Sequence, residues 1–281
     1  MRSAQESAHA SGHLSADNGL AQGAPTTQIV IRDLRHTFVR DGMVTKALDG
    51  MDLDVRTGEL VSVVGPSGCG KSTLLRIVAG LLPCTSGSVQ VGGKPVSGPQ
   101  TDLGIVFQSP VLLDWRNVLG NVLIQLELRG LDANLYRDRA RQLLTDVGLA
   151  DFQDRWPREL SGGMRQRVAI VRALIHDPSL LMMDEPFGAL DALTREQMRI
   201  DLEKLWLQQR HTLIFVTHGI SEAVALADRV VVMTPRPGRI EKIITIDLPR
   251  PRNKAVVTSS RFTQYCDEIT ECFMRNGVIR Y

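Results

Sequence analysis

No stretch of the sequence approaches the roughly 18 consecutive apolar residues that a membrane-spanning helix needs, which predicts a chain with no span of its own. Cysteine is scarce, and the four present in 281 residues lack metal-ligand spacing. Cys69 lies in a Gly-rich loop, and Cys266 and Cys272 fit a helical stretch. Reduced thiols in a cytoplasmic protein are the economical reading. The net charge is only +2, so the composition carries no nucleic-acid or membrane signature, and no nucleic-acid partner is expected. The first 27 residues are rich in Ser, Ala, Gly and His and lack the apolar core of a secretory signal, so a disordered tail is expected over 1–27. Internal repeats are absent. The remaining composition, 43% hydrophobic and 23% charged, is that of an ordinary globular protein with room for one large or two modest domains.

The stretch around which the chain is organised is Val61-Ser-Val-Val-Gly65-Pro66-Ser67-Gly68-Cys69-Gly70-Lys71-Ser72-Thr73, followed at once by a helical pattern. It fits G-x-x-x-x-G-K-[ST] with a strand before and a helix after, the context in which that motif cradles phosphates. Glycines let backbone N–H groups turn inward around phosphate oxygens, and the helix N-terminus adds partial positive charge. Lys71 can reach the β- and γ-phosphates, and the Ser72 hydroxyl can ligate Mg²⁺. A plain Gly-rich turn with an exposed lysine would not fill every fixed position in this context. The motif predicts a nucleoside-triphosphate site.

The flanking sequence supplies further candidates. From Gln28 to Val55, short apolar runs alternate with turn signals at Asp41-Gly42 and Asp49-Gly50, which predicts an antiparallel β-layer. Phe38, ahead of the phosphate loop, could stack on a purine base or pack in the core. Leu103–Phe107 reads as a buried strand delivering Gln108 at its carboxyl end, where α/β proteins bind ligands. Residues 109–177 change character: Asn117–Leu128 and Leu135–Val147 carry helical spacing, which predicts a helical insertion. It closes on Ser161-Gly162-Gly163, a capping turn that also leaves N–H groups open at a second helix start, ahead of Gln166. Ser179–Met183 reads as a strand ending in Asp184 and Glu185. Asp184 can hold the Mg²⁺ shell and Glu185 can polarise an attacking water, whereas a solvated turn is the plainer alternative. Thr194-Arg-Glu-Gln197 reads as a capping box opening a helix to about Gln209, with Met198, Leu202, Leu205 and Trp206 on its inner face. His218 ends a further strand. It is either a structural histidine or a third reactive group delivered to the crevice already served by Gln108 and Asp184/Glu185. Val230–Met233 and Ile240–Ile246 read as a hairpin, Pro249–Lys254 as a basic linker, and Arg261–Met274 as an amphipathic helix that packs on the domain or meets a partner. A linker and short helix are thus expected over 251–281.

Together these motifs resemble the nucleotide-binding subunit of an ATP-binding cassette (ABC) transporter over about residues 28–250. Gly65–Ser72 matches Walker A, Gln108 the Q-loop, Leu160–Gln166 the signature, Leu180–Glu185 Walker B with its catalytic glutamate, Asp191 the D-loop and His218 the H-loop. The resemblance implies an α/β P-loop NTPase core with a mostly parallel sheet, an antiparallel β-layer and a helical subdomain. It implies ATP and Mg²⁺, with Ser72, Gln108 and Asp184 at the metal and Phe38 as the base-stacking aromatic where Tyr is commoner. It also implies a head-to-tail homodimer in which Ser161, Gly162, Gly163 and Gln166 of one chain meet the nucleotide held by the other. Gly188 before the D-loop and Gly219 after His218 depart from the commoner Ser and Asp. Phe107–Val122 and Met233–Ile240 look like bacterial importers for nitrate, aliphatic sulfonates, taurine and thiamine-precursor pyrimidines. That implies an ATPase peripheral to the cytoplasmic face of the cell membrane, coupled to separate permease subunits and indirectly to a solute-binding protein. A soluble ABC ATPase acting on ribosomes or DNA, or a P-loop kinase, would be the alternatives. The chain lacks the second cassette or long coiled-coil insertion of the former, and the signature and Glu185 argue against the latter.

Overall fold

The computed structural model describes residues 26–279. Its core is a six-stranded sheet of order β10-β9-β3-β8-β7-β6. Strands β3 (Leu60–Val64), β6 (Leu103–Val106), β7 (Leu180–Asp184), β8 (Thr212–Thr217) and β9 (Arg229–Met233) run parallel, and β10 (Ile240–Thr245) is antiparallel at the edge opposite β6. Sequences such as Leu60-Val-Ser-Val-Val64 do not alternate because both faces of a parallel sheet are covered.

One face carries α1 (Lys71–Val78) and a four-stranded antiparallel layer of order β2-β1-β4-β5. Here β1 (Thr27–Arg40) and β2 (Met43–Arg56) are each 14 residues long, and β4 (Ser86–Val91) and β5 (Lys94–Pro95) complete the layer. The sequence suggests shorter runs. The strands stay continuous because register shifts around Asp33 (φ 43°), opposite the stretch containing Gly50 (φ 72°), absorb the turn-like residues inside the ladder. Of the predicted tail, residues 1–25 lie outside the described residues, while Thr26 accepts a backbone bond from Thr57 and Thr27 opens β1.

The other face packs on α5 (Ala192–Gln209), α6 (Ile220–Leu226) and α8 (Ser260–Arg275) and is continuous with the core of the helical insertion, α2 (Val118–Leu128), α3 (Arg137–Asp146) and α4 (Gly162–Leu174). Asn117 caps α2 by accepting the Gly120 N–H at 2.8 Å. The buried Asn121 amide bonds the backbone of Leu113, Arg116 and Asn117, tying the irregular chain after β6 to the first turn of the insertion.

Two local readings are corrected. Helix α5 opens at Asp191, whose carboxylate accepts the N–H groups of Leu193 and Thr194, so Thr194 lies inside the first turn and is not the cap. A carboxylate at the preceding loop's end captures two open N–H groups before the later box can form. The stretch Pro249–Lys254, read as a linker, is fastened to the body. Arg252 is 1% exposed and donates to the carbonyls of Val224 (2.7 Å), Ala227 (2.6 Å) and Ile246 (3.3 Å), while Arg250 stacks on Trp206 and pairs with Glu203 and Asp228. A short α7 (Lys254–Val257) follows, and α8 buries Phe262, Ile269, Cys272 and Phe273 in the main core. Tyr265 is only partly buried, with its hydroxyl accepting the Asp247 N–H. The amphipathic tail therefore packs on its own domain.

Candidate active site

Every parallel strand from β3 to β8 ends at one edge of the sheet, and the predicted polar residues leave from those ends. The chain after β3 becomes the phosphate loop, with Gly68 at φ 76° and Gly70 at φ 110°. Only glycine adopts such angles at no steric cost. At Gly70 space forbids more as well, since a Cβ would lie 2.6 Å from a Leu48 methyl and 3.0 Å from the Ala47 carbonyl. The loop is thus pressed against β2, and α1 begins immediately with Lys71. The Lys71 side chain is 5% exposed, and its ammonium donates to the carbonyls of Gly65 (2.8 Å) and Pro66 (3.2 Å). Folding back over its own loop leaves it 3.7 Å from a Glu185 carboxylate oxygen.

A cleft of about 640 Å³ opens over this loop. Ser67, Gly68, Gly70, Lys71, Ser72, Thr73, Gln108, Asp184 and Glu185 line it, together with Phe38, Thr45, Ala47 and Arg236. Phe38 is 41% exposed, with His36 edge-on at 4.5 Å between ring centroids, so the core-packing alternative fails and its ring borders the cleft. Burial pushes the Asp184 carboxyl above its usual range, and a hydrogen bond with Ser72 only partly offsets this. A nearby cation would reverse the effect. Among the described residues no group of three or more His, Cys, Asp or Glu suits a metal. One carboxylate, one hydroxyl and the Gln108 amide are instead the sparse oxygen set from which Mg²⁺, keeping waters and substrate phosphates, is bound. These residues fit Mg²⁺.

Glu185 stands at φ 46°, a positive angle rare for a side-chain-bearing residue, held by its N–H on the Val216 carbonyl (2.9 Å) and its carbonyl on the Gly188 N–H (3.1 Å). This geometry turns the carboxylate out of the strand direction and towards His218, whose Nδ1 is 3.2 Å from its second oxygen. His218 is itself half exposed, which excludes a structural histidine satisfied in the core. Gln108 lies against Gly188, where a Cβ would come 3.3 Å from its amide nitrogen. The departure to glycine at 188 thus makes room for the Gln108 side chain. Cys69 is buried beneath the loop, and burial raises its thiol pKa, leaving it an apolar packing group.

Ser161, Gly162 and Gly163 do not line this cleft. Ser161 caps α4 by accepting the Met164 N–H at 3.2 Å, and Ser161 and Gly162 are exposed. Gly163 abuts Thr194, where a Cβ would lie 2.6 Å from the threonine methyl. Gln166 is brought elsewhere. It is 2% exposed and donates to the Phe107 carbonyl (3.2 Å) of its own chain. It braces the signature helix against the Gln108 strand end. Asp191 is engaged in capping α5, and its bonds to Thr194 hold its carboxyl below the ordinary value. Sequence reasoning missed Arg236, read only as part of a hairpin turn. No local spacing signals it, because only the neighbouring position of β9 and β3 brings it to the loop.

A protein-family model described as ABC transporter matches residues 48–188. An uncharacterized ABC transporter ATP-binding protein of Methanocaldococcus jannaschii is 49% identical over 242 residues, covering 86% of this chain and 90% of that one. The aliphatic sulfonates import ATP-binding protein of Pectobacterium atrosepticum is 50% identical over 207 residues, 74% and 75% of the two chains. Among solved structures, a dimeric post-hydrolysis state of an ATP-binding cassette bound to ADP and Pi is 30% identical with a TM-score of 0.68, covering 78% of this chain and 98% of that one.

Proposed function

We propose, from the premise that this chain belongs to the ABC transporter family and is one of its ATPases, that two copies close head to tail around ATP to drive solute import through separate permease subunits. One observation carries the reading. Among the described residues two helix starts are suited to phosphate, at Lys71 and Ser161, and only the first opens on the cleft. The exposed Ser161-Gly162 start is left to serve a nucleotide bound by another copy, as in a head-to-tail dimer.

In that arrangement Phe38 stacks on the base, and the loop Gly65–Thr73 with Lys71 wraps the β- and γ-phosphates. Ser72, Asp184 and Gln108 would hold Mg²⁺, whose chemistry is to neutralise phosphate charge. Glu185 accepts a proton from the attacking water, oriented by the carboxylate's fixed bend at φ 46°. His218, within hydrogen-bond reach of Glu185, donates to the γ-phosphate. Ser161, Gly162 and Gly163 of the second copy close the far side, and Asp191 ties that side to α5. Positioning and charge stabilisation account for most of such phosphoryl transfer. The exposed Phe107, Val111 and Trp115 beside Gln108 form an apolar surface for the permease. They place a moving partner one residue from a Mg²⁺ ligand.

The solute is best sought among aliphatic sulfonates, taurine, nitrate and related small solutes. The resemblance of Phe107–Val122 and the identity to a sulfonate-import subunit both point there. Specificity for it would reside in the permease and its solute-binding protein. None of the described helices is long and apolar enough to cross a membrane, so placement at the cytoplasmic face of the cell membrane follows from the permease contact. Affinity purification of the tagged chain from native membranes tests the reading. A co-purifying multi-span permease is expected, and ribosomal or DNA-bound partners without a permease would overturn it.

A further inference from the structure

The turn joining β9 to β10 is seated on the phosphate loop with no slack. Gly238 donates to the Ala47 carbonyl (2.9 Å) and accepts from the Asp49 N–H (3.0 Å). A Cβ on Gly238 would lie 2.1 Å from the Cys69 carbonyl, so only glycine permits the approach. Inside the turn, the Thr234 hydroxyl donates to the Pro237 carbonyl (3.1 Å) and accepts the Arg239 N–H (3.0 Å). This scaffold fixes Arg236. Its Nε donates to the Gly68 carbonyl (3.2 Å), and its side chain lines the same cleft as Lys71 and Phe38.

Arg236 is exposed and pairs with no carboxylate among the described residues, whereas neighbouring Arg239 is paired with Asp49. Guanidinium carries five N–H donors and stays charged at any ordinary pH. With Nε spent on Gly68, the two terminal nitrogens remain available to an anion. The cleft is built for a polyanion, so an unpaired, pre-oriented cation on its rim has an evident ligand.

The sheet order says which part of that ligand it meets. Asp184 and Glu185 leave β7, while Arg236 follows β9, and β3 and β8 lie between them. Three strand intervals amount to about 14 Å at the usual spacing. Arg236 therefore reaches the loop from the side opposite the hydrolytic carboxylates and near the β2 wall that carries Thr45 and Ala47. We propose that Arg236 is a nucleotide-binding residue whose guanidinium holds the phosphates nearest the ribose, those common to ATP and ADP. It tightens substrate and product alike and takes no part in the cleavage step.

The proposal rests on the nucleotide occupying this cleft, and the test separates the two. ATP and ADP affinities are measured by calorimetric titration for the wild type, Arg236→Ala, Arg236→Gln and Lys71→Ala. Glutamine can keep a donor to Gly68 while removing the charge, which answers for any distortion of the loop in the alanine variant. Loss of one charge-assisted contact predicts roughly tenfold weaker binding in both Arg236 variants. The loss should be equal for ATP and ADP, with single-turnover cleavage at saturating ATP unchanged. Unaltered affinities would overturn the proposal, as would a loss confined to ATP. A lowered nucleotide-free melting temperature with intact affinity in the glutamine variant would also overturn it, assigning Arg236 to bracing the turn. If Lys71→Ala also left ATP binding intact, the placement of the nucleotide itself would fail.

Discussion

Replacing Glu185 by Gln separates the chemistry of the site from its architecture. The substitution is isosteric, so the backbone bonds to Val216 and Gly188 that hold φ at 46° are retained. An amide can also remain within 3.2 Å of His218. What disappears is a proton acceptor and one negative charge 3.7 Å from Lys71. General-base assistance is worth about 10²–10⁴-fold, which corresponds to roughly 3–5 kcal/mol of barrier. Cleavage of pre-bound ATP should therefore slow by that factor. ATP affinity should hold or improve, because the γ-phosphate no longer faces a second carboxylate beside Asp184. Single-turnover cleavage with saturating ATP is the appropriate assay, since it excludes product release and binding. Turnover near the wild-type rate, with ATP bound, would refute the assignment of Glu185 as the base.

Removing the buried Arg252 guanidinium as Arg252→Met leaves the carbonyls of Val224, Ala227 and Ile246 without that donor, while the Arg252 backbone N–H keeps its bonds to the Glu203 carboxylate. A loss of about 1–3 kcal/mol is expected from leaving buried acceptors without a donor, read as a lower denaturant midpoint; an unchanged midpoint would mean the strap is dispensable. Burial also holds the imidazoles of His176 and His211 below the ordinary histidine value. The unfolded chain then binds more protons than the folded one as pH falls below about 6.5. Stability should be full above that pH and decline on acidification, and replacing both histidines with glutamine should flatten the thermal-melt profile between pH 7 and 5.

The chemistry of this site was unusually readable because each contributor sits in a short stretch. The loop Gly65–Thr73 carries its own glycines, cation and helix start, and Gln108, Asp184/Glu185 and His218 each end an apolar strand. Parallel order alone then brings them to one edge. Elements defined by tertiary contact were not readable in this way. Arg252 looks like a solvated basic residue in a Pro-containing linker, and nothing local says that it caps α6 and lies buried. Gln166 sits in a motif whose Ser161 and Gly162 are exposed, and only the proximity of α4 to β6 explains its turn inward to Phe107. The cap of α5 went to Thr194 by pattern and to Asp191 in the structure because two adjacent signals competed for the same helix start. Arg236 was hidden by its turn, whose Pro and Gly explain the reversal fully without hinting at the loop beneath.

The central claim is that ATP completes its site with the signature helix of a second copy. Sedimentation equilibrium of the Glu185→Gln chain with ATP and Mg²⁺ tests it most directly, because hydrolysis cannot then dissolve the complex. The account predicts a shift from monomer to twice that mass with ATP and none with ADP, abolished by adding Ser161→Arg at the exposed cap. A Glu185→Gln chain that binds ATP yet remains at monomer mass would contradict it.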